Sequence, residues 1–212
     1  MVAPAPWTLT GNGLILAAHF PEAFVRAHGF LAPYQQTAYR GWLGMVILAD
    51  YHTSNVGPYR ELMFIPGLFR LGGKTAFSVS KIYVSSQDSI NNGRRNWGIP
   101  KEYADFAICE QPNGVQQWRV SQEGEPFFSV EVRPGGLSFP VSTRFLPPFS
   151  LIQAADNELL RTAPTATGQG QFATLRHPES VAAHFPDISQ GTYLTAVSIQ
   201  KFTMTFPPAT QL

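Results

Sequence analysis

Apolar and polar positions in this chain alternate mostly in short runs of period two. Tyr59 to Ile65 is the clearest case. Tyr59, Glu61, Met63 and Ile65 fall on one face of an extended segment, and Arg60, Leu62 and Phe64 on the other. A carboxylate such as Glu61 sits poorly among large apolar groups unless it has a partner or a task. Leu14 to Ala18 and Trp42 to Ala49 are apolar throughout and read as buried strands. Turns are expected at Gly11-Asn12-Gly13 before the first and at His52 to Asn55 after the second. Lys74 to Val84 reads as one strand, and Phe106 to Glu110 with Val115 to Val120 as a hairpin around Pro112-Asn113-Gly114. Phe127 to Val132 continues that meander to a corner at Pro134-Gly135-Gly136, and Leu151 to Asp156 is a further strand. Thr192 to Phe206 is long, β-rich and stopped by Pro207-Pro208.

Helical signals are few. Pro21 opens a short helix that Gly29 closes, with Ala23, Phe24 and Ala27 on one side. Ser85, three residues before Asp88, resembles a capping-box start, and Gly93 and Gly98 weaken the helix that follows. Glu179 to Phe185 reads as a third short helix, Met1 to Pro6 as an extended arm, and Thr162 to Gly170 as a Pro/Thr/Gly-rich loop. The stretch beyond that loop is too short for a second core, so residues 1–212 form one domain. The fold class is mostly β, an antiparallel barrel or sandwich with a few short helices.

Composition narrows the function. Net charge is +1, 14% of residues are charged, and no basic or acidic run exists. This argues against nucleic-acid binding and against an electrostatic membrane-surface role. Cys109 is the single cysteine, which excludes an intrachain disulfide and makes a reducing, cytoplasmic location the expectation. In a predicted strand, Cys109 reads as a small buried apolar group. The five histidines, His19, His28, His52, His177 and His184, show no metal-ligand spacing, so no metal is expected. Gly168-Gln169-Gly170-Gln171-Phe172-Ala173 fits a dinucleotide pattern in letters only, because no strand leads into it and no long helix follows. No nucleophile elbow is present.

The stretch from Ser85 to Phe106 carries the chemistry. Its helix should stop before Ile99-Pro100, leaving Lys101 on a rigid shoulder in a chain with few lysines. Gly93-Arg94 followed by Trp97-Gly98-Ile99-Pro100-Lys101 resembles the signature segment of the acetoacetate decarboxylase family. Gly57-Pro58-Tyr59-Arg60-Glu61 resembles that family's Tyr-x-Glu strand, in the expected upstream place. The likeness runs from about Trp7 to Phe106. It implies a cone-shaped antiparallel β-barrel whose mouth holds a lysine that forms a Schiff base with a keto acid. It also implies a homo-oligomer and no cofactor. Residue by residue, Lys101 is the amine and Glu61 its acidic companion, with Tyr59, Trp97 and Arg94 as candidate substrate-binding groups. Trp97 fits core packing and pocket lining equally.

Decarboxylating a β-keto acid leaves electrons next to a carbonyl, and a protonated imine supplies the cationic sink for them. The attacking amine must be neutral, yet a free lysine has a pKa of about 10.4. Desolvation or a neighbouring cation lowers it. The chain departs from the family where Glu102 replaces a second lysine and where Arg95 stands after the Gly-Arg pair, which suggests an ion pair of Arg95 with Glu102. The family's N-terminal pocket arginine falls on Asn12 or Gly13, leaving Arg94 and Arg60 as substitutes. The expected function is decarboxylation of a small keto acid through an imine on Lys101. An imine-based aldolase-dehydratase or cyclase and a non-catalytic barrel for an apolar ligand are the alternatives.

Overall fold

The computed structural model describes residues 1–112, 114–145 and 149–212. The chain opens on β1 (Trp7–His19) and two short helices, α1 (Glu22–His28) and α2 (Pro33–Gln36). Six strands follow: β2 (Tyr39–Gly41), β3 (Leu43–Thr53), β4 (Tyr59–Ile65), β5 (Leu68–Leu71), β6 (Lys74–Phe77) and β7 (Lys81–Val84). They lead into α3 (Gln87–Trp97). Then come β8 (Lys101–Tyr103), β9 (Asp105–Glu110), β10 (Gln116–Gln122), β11 (Glu125–Ser142) and β12 (Leu151–Ala155). The chain finishes with β13 (Glu158–Thr162), β14 (Thr165–Ser180), β15 (Thr192–Phe206) and β16 (Thr210–Gln211).

Ten strands pair in the order β8-β7-β4-β3-β1-β15-β14-β11-β10-β9, and six in the order β16-β13-β12-β6-β5-β2. Pairs are antiparallel except β7 with β8 and β6 with β12. The edge strands of the larger sheet, β8 and β9, are consecutive in the chain and separated by Ala104 alone. The two edges therefore lie together, and the sheet curls into a nearly closed barrel, which removes most of its free edge. The fold is mostly β, as the alternation implies. Among the described residues no helix is long and apolar enough to cross a membrane.

Period-two patterning sorts the core into two clusters. Leu62 and Phe64 of β4 pack with Leu14, Leu16, Val46, Leu48 and Trp118. Tyr59, Met63 and Ile65, on the opposite face, pack with Trp7, Leu9, Tyr51, Val84 and Trp97. Glu61 belongs to this second face, and the functional site forms there.

The structure corrects several expectations, each through a long-range contact. Gly11-Asn12-Gly13 is no turn. β1 runs straight through it with a bulge, the register jumping from Gly11 opposite Phe202 to Gly13 opposite Ile199. A Cβ on Gly11 would collide with the Asp50 carbonyl oxygen, so glycine is required where two backbones approach. Pro134-Gly135-Gly136 is likewise absorbed into β11 at a register shift. Most of Thr162–Gly170 is strand, because Gly168 and Gly170 leave room for Ile199 and Val141 rather than making turns. Glu179 and Ser180 end β14, and the residues to Phe185 form turns instead of a helix.

Lys74–Val84 splits at Ser78-Val79-Ser80, sending β6 to the smaller sheet and β7 to the larger. Gln35 Nε2 donates to Ser78 Oγ at 2.7 Å and to the Val79 carbonyl at 3.0 Å, and Gln153 Nε2 donates to that same carbonyl at 3.1 Å. These bonds satisfy the broken backbone. β3 begins one residue after Trp42, which is exposed, and continues through His52 to Thr53. In α1 the buried residue is Val25, while Ala23 and Ala27 face outward. Cys109 is exposed, because it points away from the face of β9 that carries Ile108 into the core. β9 and β10 form the expected hairpin, whose Asn113 lies outside the described residues.

Candidate active site

Helix α3 positions the lysine. Its cap is Ser86, one residue after the expected Ser85, and Ser86 Oγ accepts from the Ser89 amide at 3.2 Å. Ser85 Oγ instead accepts from the Arg60 amide at 2.9 Å and ties the helix entrance to β4. Gly98 ends the helix in the left-handed region, φ 66°, with its amide bonded to the Arg94 carbonyl at 2.9 Å. Ile99-Pro100 then turns the chain back so that Lys101 opens β8 opposite Ile82. Arg94 Nη2 donates to the Lys101 carbonyl and holds this return.

The Lys101 side chain runs inward against the helix and is 4% exposed. Nζ donates to Glu61 Oε2 at 3.0 Å, to Ser89 Oγ at 3.0 Å and to the Tyr59 hydroxyl at 3.4 Å. Glu61 is 2% exposed, and its Oε1 accepts from the Tyr51 hydroxyl at 3.1 Å. Ser89 and Gly93 are four residues apart and therefore share one helix face. A Cβ on Gly93 would lie 2.8 Å from Lys101 Cδ and 2.9 Å from Cε, so the absent side chain is the channel in which the lysine lies.

Around this pair Trp7, Leu9, Met63, Trp97, Ile99, Met204 and Phe206 line a cavity of about 20 Å³, room for roughly one water. Trp97 stands edge-on to Trp7 and to Phe206, each at 5.1 Å between ring centroids. The N-terminal arm is pinned over α3. Ala3 donates its amide to Asn92 Oδ1 at 2.7 Å, and its carbonyl accepts from Trp7 Nε1 and Asn96 Nδ2, both at 2.9 Å.

Two effects oppose each other at Lys101. Burial pulls the ammonium's pKa down, while the charge of Glu61 and the hydrogen bonds of Glu61 and Tyr59 push it up, and the net direction is up. Lys101 is thereby held as the ammonium, 3.0 Å from Glu61 Oε2. Burial pushes the Tyr51 phenol well up, and the charge of Glu61 adds to the shift. Tyr59 is raised by burial, less the pull of Lys101.

Of the residues singled out from sequence, Lys101, Glu61, Tyr59 and Trp97 meet on one wall. Arg94 does not join them. It is exposed and bound to the Lys101 main chain. Arg60 points to the other face, with Nε 3.1 Å from Asp50 Oδ1 and Nη1 on the Phe106 carbonyl. The suggested Arg95–Glu102 pair is not formed. Glu102 lies on the opposite side of β8 from Lys101 and pairs with Lys81 at 2.7 Å, while Arg95 is exposed. Lys81 is half-buried, lying over the Tyr83 ring at 4.7 Å. Asn12 Oδ1 accepts from the Lys201 amide at 2.9 Å, away from the cavity.

Ser89 and Tyr51 escaped the sequence reading, and Gly93 was read as a helix-weakening part of the signature, without its contact to Lys101. The four-residue spacing of Ser89 and Gly93 on the helix before Lys101 was a usable signal, whereas Tyr51 required the register that sets it opposite Tyr59. Among the described residues no group of three or more His, Cys, Asp or Glu side chains is placed to hold a metal.

Comparison with curated protein sequences finds no match. Solved structures do match over nearly the whole chain. The acetoacetate decarboxylase of Legionella pneumophila superposes with a TM-score of 0.74 at 14% identity, covering 99% of this chain and 88% of that one. An acetoacetate decarboxylase-like enzyme from Sphingomonas wittichii gives 0.70 at 13% identity, over 100% and 94%. The enduracididine biosynthesis enzyme MppR, solved with pyruvate, gives 0.67 at 12% identity, over 100% and 91%. At such identities the likeness establishes the fold. The sequence profile of the family described as acetoacetate decarboxylase matches residues 37–201, a span that holds Glu61, the whole of α3 and Lys101. By that match the chain belongs to the acetoacetate decarboxylase family.

Proposed function

We propose that this protein is an imine-forming lyase in which Lys101 is the nucleophile and Glu61 takes and returns its proton. The observation that carries this reading is the Lys101 Nζ buried 3.0 Å from Glu61 Oε2 at a small, mostly apolar cavity. Proton transfer across that hydrogen bond turns an ion pair into a neutral amine and a neutral acid. A low-dielectric wall penalises the neutral pair far less than water does. Nζ then adds to a carbonyl carbon, and the carbinolamine oxygen leaves as water with the proton held by Glu61. In a β-keto acid the resulting iminium draws in the electrons of the bond to the carboxylate. Carbon dioxide departs, the enamine is protonated and water releases the ketone. Tyr51 holds Glu61 through Oε1 and keeps Oε2 aimed at the lysine.

Decarboxylation of a small keto acid is the reaction the family name suggests, and an aldol-type reaction would use the same iminium. One observation favours the second: among the described residues the cavity wall holds no cation besides Lys101. The cavity has room for roughly one water, so a keto acid requires side chains of its lining to shift.

The test is borohydride trapping with acetoacetate, pyruvate and larger carbonyl compounds, read by intact mass and peptide mapping, with headspace analysis for carbon dioxide. A reduced adduct on Lys101 supports the proposal, and carbon dioxide release separates decarboxylation from aldol-type turnover. A folded protein that yields no Lys101 adduct with any carbonyl would be a binding barrel with a structural lysine.

A further inference from the structure

We propose that the substrate of this cavity is a small neutral ketone or aldehyde with an apolar body, one that carries no free carboxylate. The inference rests on the imine-forming role given to Lys101 above and goes further by naming the substrate class. It follows from a count of charges and donors on the wall. Among the described residues, Lys101 and Glu61 are the only lysine, arginine, aspartate or glutamate side chains lining the cavity, and their charges cancel. Imine formation leaves that balance unchanged, because the ammonium becomes an iminium of the same charge.

A substrate carboxylate would therefore add an uncompensated negative charge beside Glu61, inside walls of Leu9, Met63, Ile99 and aromatic rings. No nearby arginine offsets it: Arg94 is bound to the Lys101 carbonyl and Arg60 is paired with Asp50. Neutral donors are also committed. Trp7 Nε1 donates to the Ala3 carbonyl at 2.9 Å, Trp97 Nε1 to the Pro207 carbonyl at 2.8 Å and the Tyr51 hydroxyl to Glu61. Ser89 Oγ is taken up by Lys101 Nζ at 3.0 Å and by Tyr59, which leaves Tyr59 as the side-chain hydroxyl facing the cavity. One hydroxyl suffices for a carbonyl oxygen and falls short of a carboxylate, which presents about four lone-pair sites.

The chemistry balances without a carboxylate. Nζ forms its bond to the carbonyl carbon, and the carbonyl oxygen departs as water. Both hydrogens of that water come from the Lys101 ammonium, one of them relayed through Glu61. The electron pair that the iminium then accepts comes from an adjacent C–H bond, with the proton going to Glu61. In a β-hydroxy ketone it comes instead from the C–C bond, with the hydroxyl proton going to Glu61 and an aldehyde leaving.

The experiment pairs each acid with its neutral ester: acetoacetate with methyl acetoacetate, and pyruvate with methyl pyruvate. Each is trapped by cyanoborohydride on the intact protein at pH 7, and adducts are mapped to Lys101. Rates are divided by those for Nα-acetyl-lysine, which removes the intrinsic electrophilicity of the ester. The esters are expected to label Lys101 at least tenfold faster than the acids, although they are the larger molecules. Equal or faster labelling by the acids overturns the inference and leaves imine chemistry standing. No labelling of Lys101 by any of the four, in a folded protein, overturns the imine reading and this inference with it.

Discussion

Gly93→Ala separates the stability of α3 from the placement of the reactive amine. In a helix interior alanine is favoured over glycine by about 0.8–1.0 kcal/mol, so the helix alone should gain from the change. The new methyl carbon, however, would stand 2.8 Å from Lys101 Cδ and 2.9 Å from Cε, both well inside van der Waals contact. Relieving such overpacking in a closed core costs about 1–3 kcal/mol. The two terms leave a net loss of roughly 0–2 kcal/mol, and at this chain length each kcal/mol shifts Tm by about 2–4 °C. The melting point should therefore fall by no more than about 8 °C. The lysine must yield, because the backbone of α3 is held by its Ser86 and Gly98 caps. A shift of about 1 Å at a reacting atom costs on the order of 100-fold in rate. Thermal melting beside borohydride trapping on Lys101 reads both quantities. Near-native Tm with trapping reduced ten- to a hundredfold is the expected pattern. Trapping at the native rate would refute the role given to Gly93.

Glu61→Gln should destabilise the fold by about 3–5 kcal/mol in urea titrations, because it leaves the Lys101 ammonium buried without a counter-charge. Alkaline pH acts through the tyrosines. Burial raises Tyr39 and Tyr193 from 10.0 to about 12, so the stability they contribute is whole below pH 10 and disappears as pH rises through 12. Lys101, raised above 10.5 by Glu61 and Tyr59 against burial, loses its contribution in the same direction. Tyrosinate absorbance at 295 nm should accordingly rise together with loss of far-UV CD, and a free titration near pH 10 in the folded protein would contradict this. Ser86→Ala should cost about 1 kcal/mol through loss of the α3 cap, measured by urea denaturation. The Lys81–Glu102 ion pair should contribute under about 1 kcal/mol in a double-mutant cycle, because Glu102 is partly solvated. A charge-swapped Lys81→Glu with Glu102→Lys double mutant should recover what either single reversal loses.

The sequence alone determined what depends on neighbours along the chain. Alternation from Tyr59 to Ile65 predicted β4 with its observed bounds and placed Glu61 on the face where the site forms. The long β-rich run ending at Pro207-Pro208 predicted β15, and the Gly98-Ile99-Pro100 stop predicted the rigid shoulder from which Lys101 turns inward. These succeed because side-chain period, proline φ and glycine's left-handed conformation are local properties. Gly11, Gly13, Gly168 and Gly170 misled the same reasoning, since their purpose is to admit atoms from residues distant in the chain. Nothing local distinguishes a glycine that turns the chain from one that lets another strand pass. The same holds at the site. Which side chain meets Lys101, and the cancellation of charge around it, were decided when β3, β4, β8 and α3 packed into register, for only that packing sets distances between groups dozens of residues apart.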